Sequence, residues 1–103
     1  MTSRVYKINE IKSLITPILK NTPIIKAILF GSYAKGIATT ASDIDLYIDS
    51  NGALNGFNFF GVYDTLEKKL KKPVDLIEKI DLDYTSILAE EINKYGVIIY
   101  EQE

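Results

Sequence analysis

A glycine and a serine, Gly31-Ser32, stand ten residues ahead of the triplet Asp43-Ile44-Asp45. The two groups supply complementary halves of one chemistry. Glycine permits a sharp turn and a close approach of the backbone. N–H groups that open a helix after such a turn favour an anion such as phosphate, and Ser32 adds a hydroxyl donor. Two aspartates two positions apart on a strand share a face, with Cα atoms roughly 6.5 Å apart. Their carboxylates can converge on a hard cation such as magnesium, which takes oxygen ligands and keeps waters or phosphate oxygens around it. Together the two groups point to phosphoryl transfer.

Asp75 is a third candidate. It lies between Val74 and Leu76, and a charged residue is rarely central in an apolar strand without a partner. If its strand adjoins that of Asp43 and Asp45, all three acids share a face and repel one another unless a cation neutralises them. Lys35, four residues after Gly31, could reach phosphate oxygens. Asp49 has the same parity as Asp43 and Asp45 but sits at the strand end and is expected to face solvent. Tyr33 is expected to pack or line a pocket. Each feature has a bland alternative: a helix cap for Gly-Ser, a solvent-facing acidic edge for the aspartates, a solvated lysine for Lys35. Their occurrence in one order is the stronger signal.

The rest of the composition narrows the chemistry. The 103 residues contain no cysteine and no histidine, so disulfides, thiolates and imidazole acid–base catalysis are excluded. Carboxylates, lysines, tyrosines and hydroxyls remain. With 47% hydrophobic and 25% charged residues, the chain is ordinary globular material for a single domain over residues 1–103. The net charge is −2 and Arg4 is the only arginine, so the basic stripe of a nucleic-acid binder is missing and direct nucleic-acid binding is not expected. The one basic cluster, Lys68, Lys69, Lys71 and Lys72, reads as a solvated helix end. No signal-peptide pattern opens the chain, and the apolar runs fall far short of the roughly 20 residues of a membrane span. A soluble, cytoplasmic protein is expected.

The elements that must position these residues follow from periodicity. Ile8, Ile11, Leu14, Ile15, Ile18 and Leu19 trace one helical face, with Pro17 predicting a kink or a weak first half. Ile24 to Phe30 reads as a strand and Ser32 to Lys35 as a short helix closed by Gly36. Residues 37–42 read as a loop. From Asp43 to Asp49 the residues alternate strictly, with Ile44, Leu46 and Ile48 on one face and the acids and Tyr47 on the other. Ser50-Asn51-Gly52 is a turn. Phe57, Phe60, Tyr63, Leu66 and Leu70, with Phe59 and Val62 beside them, predict a helix ending before Pro73. Val74 to Ile77 predicts a strand, and Tyr84 to Lys94 a helix with Ile87, Leu88 and Ile92 as its stripe and Gly96 as its cap. Val97 to Tyr100 is the last strand. The alternation predicts an α/β fold with one mixed sheet of about four strands backed by helices.

The string Gly31-Ser32-Tyr33-Ala34-Lys35-Gly36, followed by Ser42-Asp43-Ile44-Asp45-Leu46, resembles the signature of the DNA polymerase β-like nucleotidyltransferase superfamily. In particular it resembles the one-domain minimal nucleotidyltransferases, often antitoxins encoded beside a HEPN-domain toxin. The resemblance covers almost the whole chain and implies the polymerase β-like nucleotidyltransferase fold. It implies that Gly31 and Ser32 hold a nucleoside triphosphate, that Asp43 and Asp45 bind two Mg2+ ions, and that Asp75 completes the acidic set and helps to activate the attacking hydroxyl. Lys35 stands where many relatives carry arginine; lysine keeps the charge but loses bidentate phosphate recognition. The implied reaction is transfer of AMP from ATP to a tyrosine hydroxyl of a partner HEPN toxin. The alternatives are a catalytically silent, nucleotide-binding antitoxin that neutralises its partner by contact and, last, a nucleotidyltransferase acting on a small molecule.

Overall fold

The computed structural model describes residues 4–79, 82–83 and 85–102. Among the described residues four helices and four strands alternate: α1 (Ile8–Leu19), β1 (Lys26–Phe30), α2 (Gly31–Lys35), β2 (Ile44–Asp49), α3 (Gly56–Leu70), β3 (Val74–Glu78), α4 (Ile87–Tyr95) and β4 (Val97–Glu101). The strands form one mixed sheet in the order β3-β2-β1-β4. β1 is antiparallel to both β2 and β4, whereas β2 and β3 run parallel. The expected α/β architecture is therefore the observed one. Among the described residues, no helix is long and apolar enough to cross a membrane.

The alternation read in β2 divides the sheet into two chemically different faces. Ile44, Leu46 and Ile48 are fully buried with Ala27 and Leu29 of β1 and Val74 of β3, beneath Ile11, Ile15 and Leu19 of α1 and Leu66 and Leu70 of α3. The opposite face carries a smaller cluster of Phe30, Tyr47 and Ile92, joined by Ile28, Ile77, Leu82 and Leu88. α4 thus lies over β1 on this second face. Burying a large aliphatic side chain contributes about 1.5–3 kcal/mol, so the first face carries most of the stabilisation.

Several helix boundaries have identifiable causes. The Glu10 carboxylate accepts the Lys7 backbone N–H at 2.9 Å and so caps the start of α1. Pro17 lies inside α1, and the helix runs on to Leu19, so it does not end the element. Ser86 caps α4 by accepting from the Ala89 N–H at 3.1 Å. The predicted start of α4 at Tyr84 lies outside the described residues. Gly96 does follow α4, but not as a left-handed cap: its φ and ψ are −60° and 140°. A glycine is needed there for space, since a Cβ would meet the Ile92 carbonyl oxygen at 2.4 Å and Ile28 Cγ2 at 2.7 Å.

The stripe read on α3 holds at Tyr63, Leu66 and Leu70 but not at its start. Phe57 and Phe60 are 96% and 63% exposed, while Phe59, Val62 and Tyr63 pack on the core. An aromatic-rich segment offers more than one apolar face by periodicity, and only docking selects between them. Ile87 is likewise exposed on α4. Lys72 corrects the reading of the basic cluster: it is buried, and its ammonium donates to the Thr40 carbonyl at 3.0 Å. One residue later, the Pro73 carbonyl accepts the Ile44 N–H at 3.0 Å, and Glu67 of α3 accepts the Val74 N–H at 2.8 Å. These three bonds fix the starts of β2 and β3 beside each other.

At the far end of the same strand pair, Glu78 is 3% exposed. Its carboxylate accepts the Ser50 N–H at 3.2 Å and the Ser50 hydroxyl at 2.9 Å, while the Ser50 oxygen accepts the Leu54 N–H at 3.0 Å. Removing a charged acceptor from buried donors costs about 1.5–3 kcal/mol. Glu78→Ala should therefore lower the unfolding free energy by about 2 kcal/mol in urea titrations, with Glu78→Gln losing less; an unchanged midpoint for the alanine variant would show that this network contributes nothing.

Candidate functional site

The site lies at the edge of α4, where β1 ends and β2 and β3 begin. Phe30, the last residue of β1, pairs with Asp45. Across β2, Asp45 pairs with Asp75 of β3 in parallel register. A parallel neighbour at the same register presents its side chain on the same face, so two carboxylates from strands 30 residues apart in sequence are brought side by side. Asp43 immediately precedes β2 and is exposed, as is Asp75, while Asp45 is half-buried. Asp49 belongs to the far end of the strand, where it meets Lys79 at 3.3 Å and accepts the Asn51 N–H at 3.0 Å.

Gly31 is the residue against which Asp45 is set. Its φ is +71°, a left-handed conformation that costs other L-residues roughly 1–2 kcal/mol. A Cβ at this position would lie 2.1 Å from Asp45 Oδ2 and 2.9 Å from Cγ. The glycine is required twice over, by its backbone angle and by the carboxylate occupying the space of its missing side chain. Ser32 is half-buried and does not cap α2; the cap position is Phe30, with no side-chain cap bond. This removes the helix-cap explanation of the Gly-Ser pair. α2 closes with Gly36 in the left-handed region, and Tyr33 is buried in the main core, as expected of it.

The loop delivering Asp43 is built rather than slack. The Thr39 N–H donates to Ser42 Oγ at 2.8 Å and the Ser42 N–H to the Thr39 carbonyl at 3.0 Å, with Lys72 holding the Thr40 carbonyl from beneath.

The electrostatics follow from the crowding of acids. Asp45 is pushed up to about 6, first by partial burial and then by the charges of Asp75, Asp43 and Glu91. Glu91, on α4, was not singled out from the sequence; nothing in its spacing reveals that α4 lies against α2. It also accepts the Lys35 ammonium in a close ion pair. Lys35 stands 5.3 Å over the Tyr95 ring as well, and the Glu91 bond raises its pKa. Lys35 is thus directed toward α4.

Among the described residues, no group of three or more acids forms a ready-made metal cage. The donor set nonetheless suits a hard divalent cation. Magnesium needs only one or two carboxylates when phosphate oxygens and waters complete its shell, and a cation would relieve the repulsion among carboxylates set side by side.

Two outcomes follow from this arrangement. The folded state holds the Asp45 proton more tightly than the unfolded chain, so ionising Asp45 destabilises the fold as pH rises from about 4 through about 6. Asp45→Asn should raise the metal-free Tm at pH 8, and the gain should fade as pH falls toward 4; a gain independent of pH would refute the charge explanation. Gly31→Ala should lower Tm, and adding Asp45→Ala should restore part of the loss, because one of the two penalties is contact with that carboxylate; strict additivity would count against the contact.

The family model of "Polymerase beta, Nucleotidyltransferase" matches residues 12–103. "Putative protein adenylyltransferase MJ1215" of Methanocaldococcus jannaschii is 36% identical over 83 residues, covering 77% of this chain and 96% of that protein. "Putative protein adenylyltransferase MJ1379" of the same organism is 40% identical over 78 residues, covering 70% and 78%. Among solved structures, a chain of a toxin–antitoxin complex with AMP-PNP superposes with a TM-score of 0.76 at 21% identity, covering 89% of this chain and 74% of that one. A chain from the complex of a tri-AMPylated Shewanella oneidensis HEPN toxin with its MNT antitoxin gives 0.70 at 18% identity, covering 92% and 73%. These structures share the fold, and the sequence match carries the family: the chain belongs to the polymerase β nucleotidyltransferases.

Proposed function

We propose that the protein is a Mg2+-dependent protein adenylyltransferase acting as an antitoxin in the cytoplasm, transferring AMP from ATP to a tyrosine hydroxyl of a partner HEPN-domain toxin. The observation that carries this reading is the pairing of Asp45 with Asp75 across β2 and β3, beside a Gly31 that has no room for a side chain. The names of the relatives and the complexes in which its structural neighbours occur support the choice of reaction and partner.

In this reading Gly31 and Ser32 receive the triphosphate, the backbone of Gly31 allowing close approach and the Ser32 hydroxyl donating to a phosphate oxygen. Asp43 and Asp45 hold the cations, and Asp75 lies open to solvent, where an incoming hydroxyl can meet it. The acceptor oxygen forms a bond to the α-phosphorus, the bond from that phosphorus to the β-phosphate oxygen breaks, and pyrophosphate leaves. The hydroxyl proton passes to Asp75. Bound divalent cations would supply charge neutralisation at the attacking and leaving oxygens. The chain's own contribution is chiefly position and charge, which accords with a domain that has no histidine or cysteine.

Incubation with a candidate HEPN-domain partner, ATP and Mg2+ should add AMP to a partner tyrosine, read by mass spectrometry. Asp43→Ala/Asp45→Ala should lower the rate by about 100-fold or more. No added mass with the wild type, or equal addition by the double variant, would reject the reading; neutralisation of the toxin by the double variant would favour inhibition by contact instead.

A further inference from the structure

The Lys35 side chain is poised between two uses. It sits in the last turn of α2, four residues beyond the Gly31 that adjoins Asp45. Yet its ammonium is taken up by Glu91 and stands over the face of Tyr95, both on α4. Glu91 and Tyr95 are four apart in one helix and so present a common face. Lys94 stands at the same 5.3 Å from the Tyr95 ring, so the aromatic face retains a cation if Lys35 departs. The ion pair is half-exposed, with side-chain accessibilities of 33% for Lys35 and 26% for Glu91. A pair of this exposure is worth little and is readily exchanged for a stronger anion.

We infer that Glu91 is a positioning residue that holds Lys35 on α4 while the nucleotide site is empty, and that a triphosphate must draw Lys35 away from Glu91 in order to be bound. This rests on the nucleotide-binding role proposed above and adds a competitor internal to the chain. A triphosphate offers the ammonium several anionic oxygens in place of one half-exposed carboxylate, so the exchange runs toward the nucleotide. Glu91 thereby sets the affinity for ATP without touching it, and loss of the triphosphate after transfer lets Lys35 return to α4.

The consequence is unusual for a substitution at a site: removing Glu91 should improve binding. Calorimetric titration of the full chain with ATP in excess Mg2+ gives the test. Glu91→Gln should tighten Kd by about two- to five-fold, the range set by exposed ion pairs, and Glu91→Ala should do at least as much. Lys35→Met should weaken binding, and Glu91→Gln should then have no further effect in the Lys35→Met background. A gain in affinity cannot come from a loosened fold, which separates this role from a merely structural one. Unchanged or weaker binding by both Glu91 variants would overturn the inference while leaving the nucleotide-binding reading intact. A gain that survives in the Lys35→Met background would overturn it too, since direct repulsion by Glu91 would then suffice. A wild-type chain that takes up no ATP with Mg2+ would instead remove the nucleotide-binding reading, and this inference with it.

Discussion

Like charges held side by side are what the remainder of this small domain must support. Asp45 and Asp75 face one another across a parallel strand pair, Asp43 enters from the preceding loop, and Glu91 approaches from α4. Left to themselves these carboxylates would separate into solvent. Backbone ladders, rather than any contact between the acids, keep them together. Partial burial first, and then these charges, push Asp45 up to about 6, and concentrated charge of this kind is tolerated at functional sites at the expense of stability.

The supporting structure is arranged around that opposition. One face of the sheet is given wholly to α1 and α3, whose buried aliphatic residues stabilise the fold without reference to the site. On the other face α4 covers β1. Lys72 beneath Thr40, Pro73 against Ile44 and Glu67 against Val74 tie the start of β3 to the start of β2. Glu78 and Ser50 secure the other end. Register therefore does not depend on the acids it aligns. Gly31, directly after β1, completes the arrangement by contributing an absence of side chain where Asp45 needs space.

Membership of the polymerase β nucleotidyltransferases accords with a site built from few residues. The reaction asks little covalent participation of the protein and much positioning, and positioning can be supplied by three strands and a glycine. It also accords with the absence of a stripe of basic residues. In the reaction proposed above, cations at the aspartates would meet the substrate's negative charge, with few fixed positive groups beside them, of which Lys35 is the one nearest in sequence to the Gly-Ser turn.

Much of this was legible in the chain alone, because local pattern and chemistry coincide there. Strict alternation from Asp43 to Asp49 placed the acids opposite the core, and the order of Gly-Ser and Asp-x-Asp identified the family later shown by comparison. The parity of Asp75 was readable too, but its placement beside Asp45 required β3 to pair with β2 in one register out of several. What pattern could not decide were the choices made by packing between distant elements. Phe57 and Phe60 satisfy a helical period as well as Phe59 and Val62 do, and docking of α3 exposed the first pair. Lys72 resembles its lysine neighbours until the loop of residues 37–42 brings the Thr40 carbonyl to it. The attachment of Lys35 to Glu91 and Tyr95 exists only because α4 comes to lie against α2. Periodicity and residue type act within a segment, and so the sequence by itself determined the faces and the chemistry; which faces meet is an energy of contact between segments, and only the tertiary structure decided it.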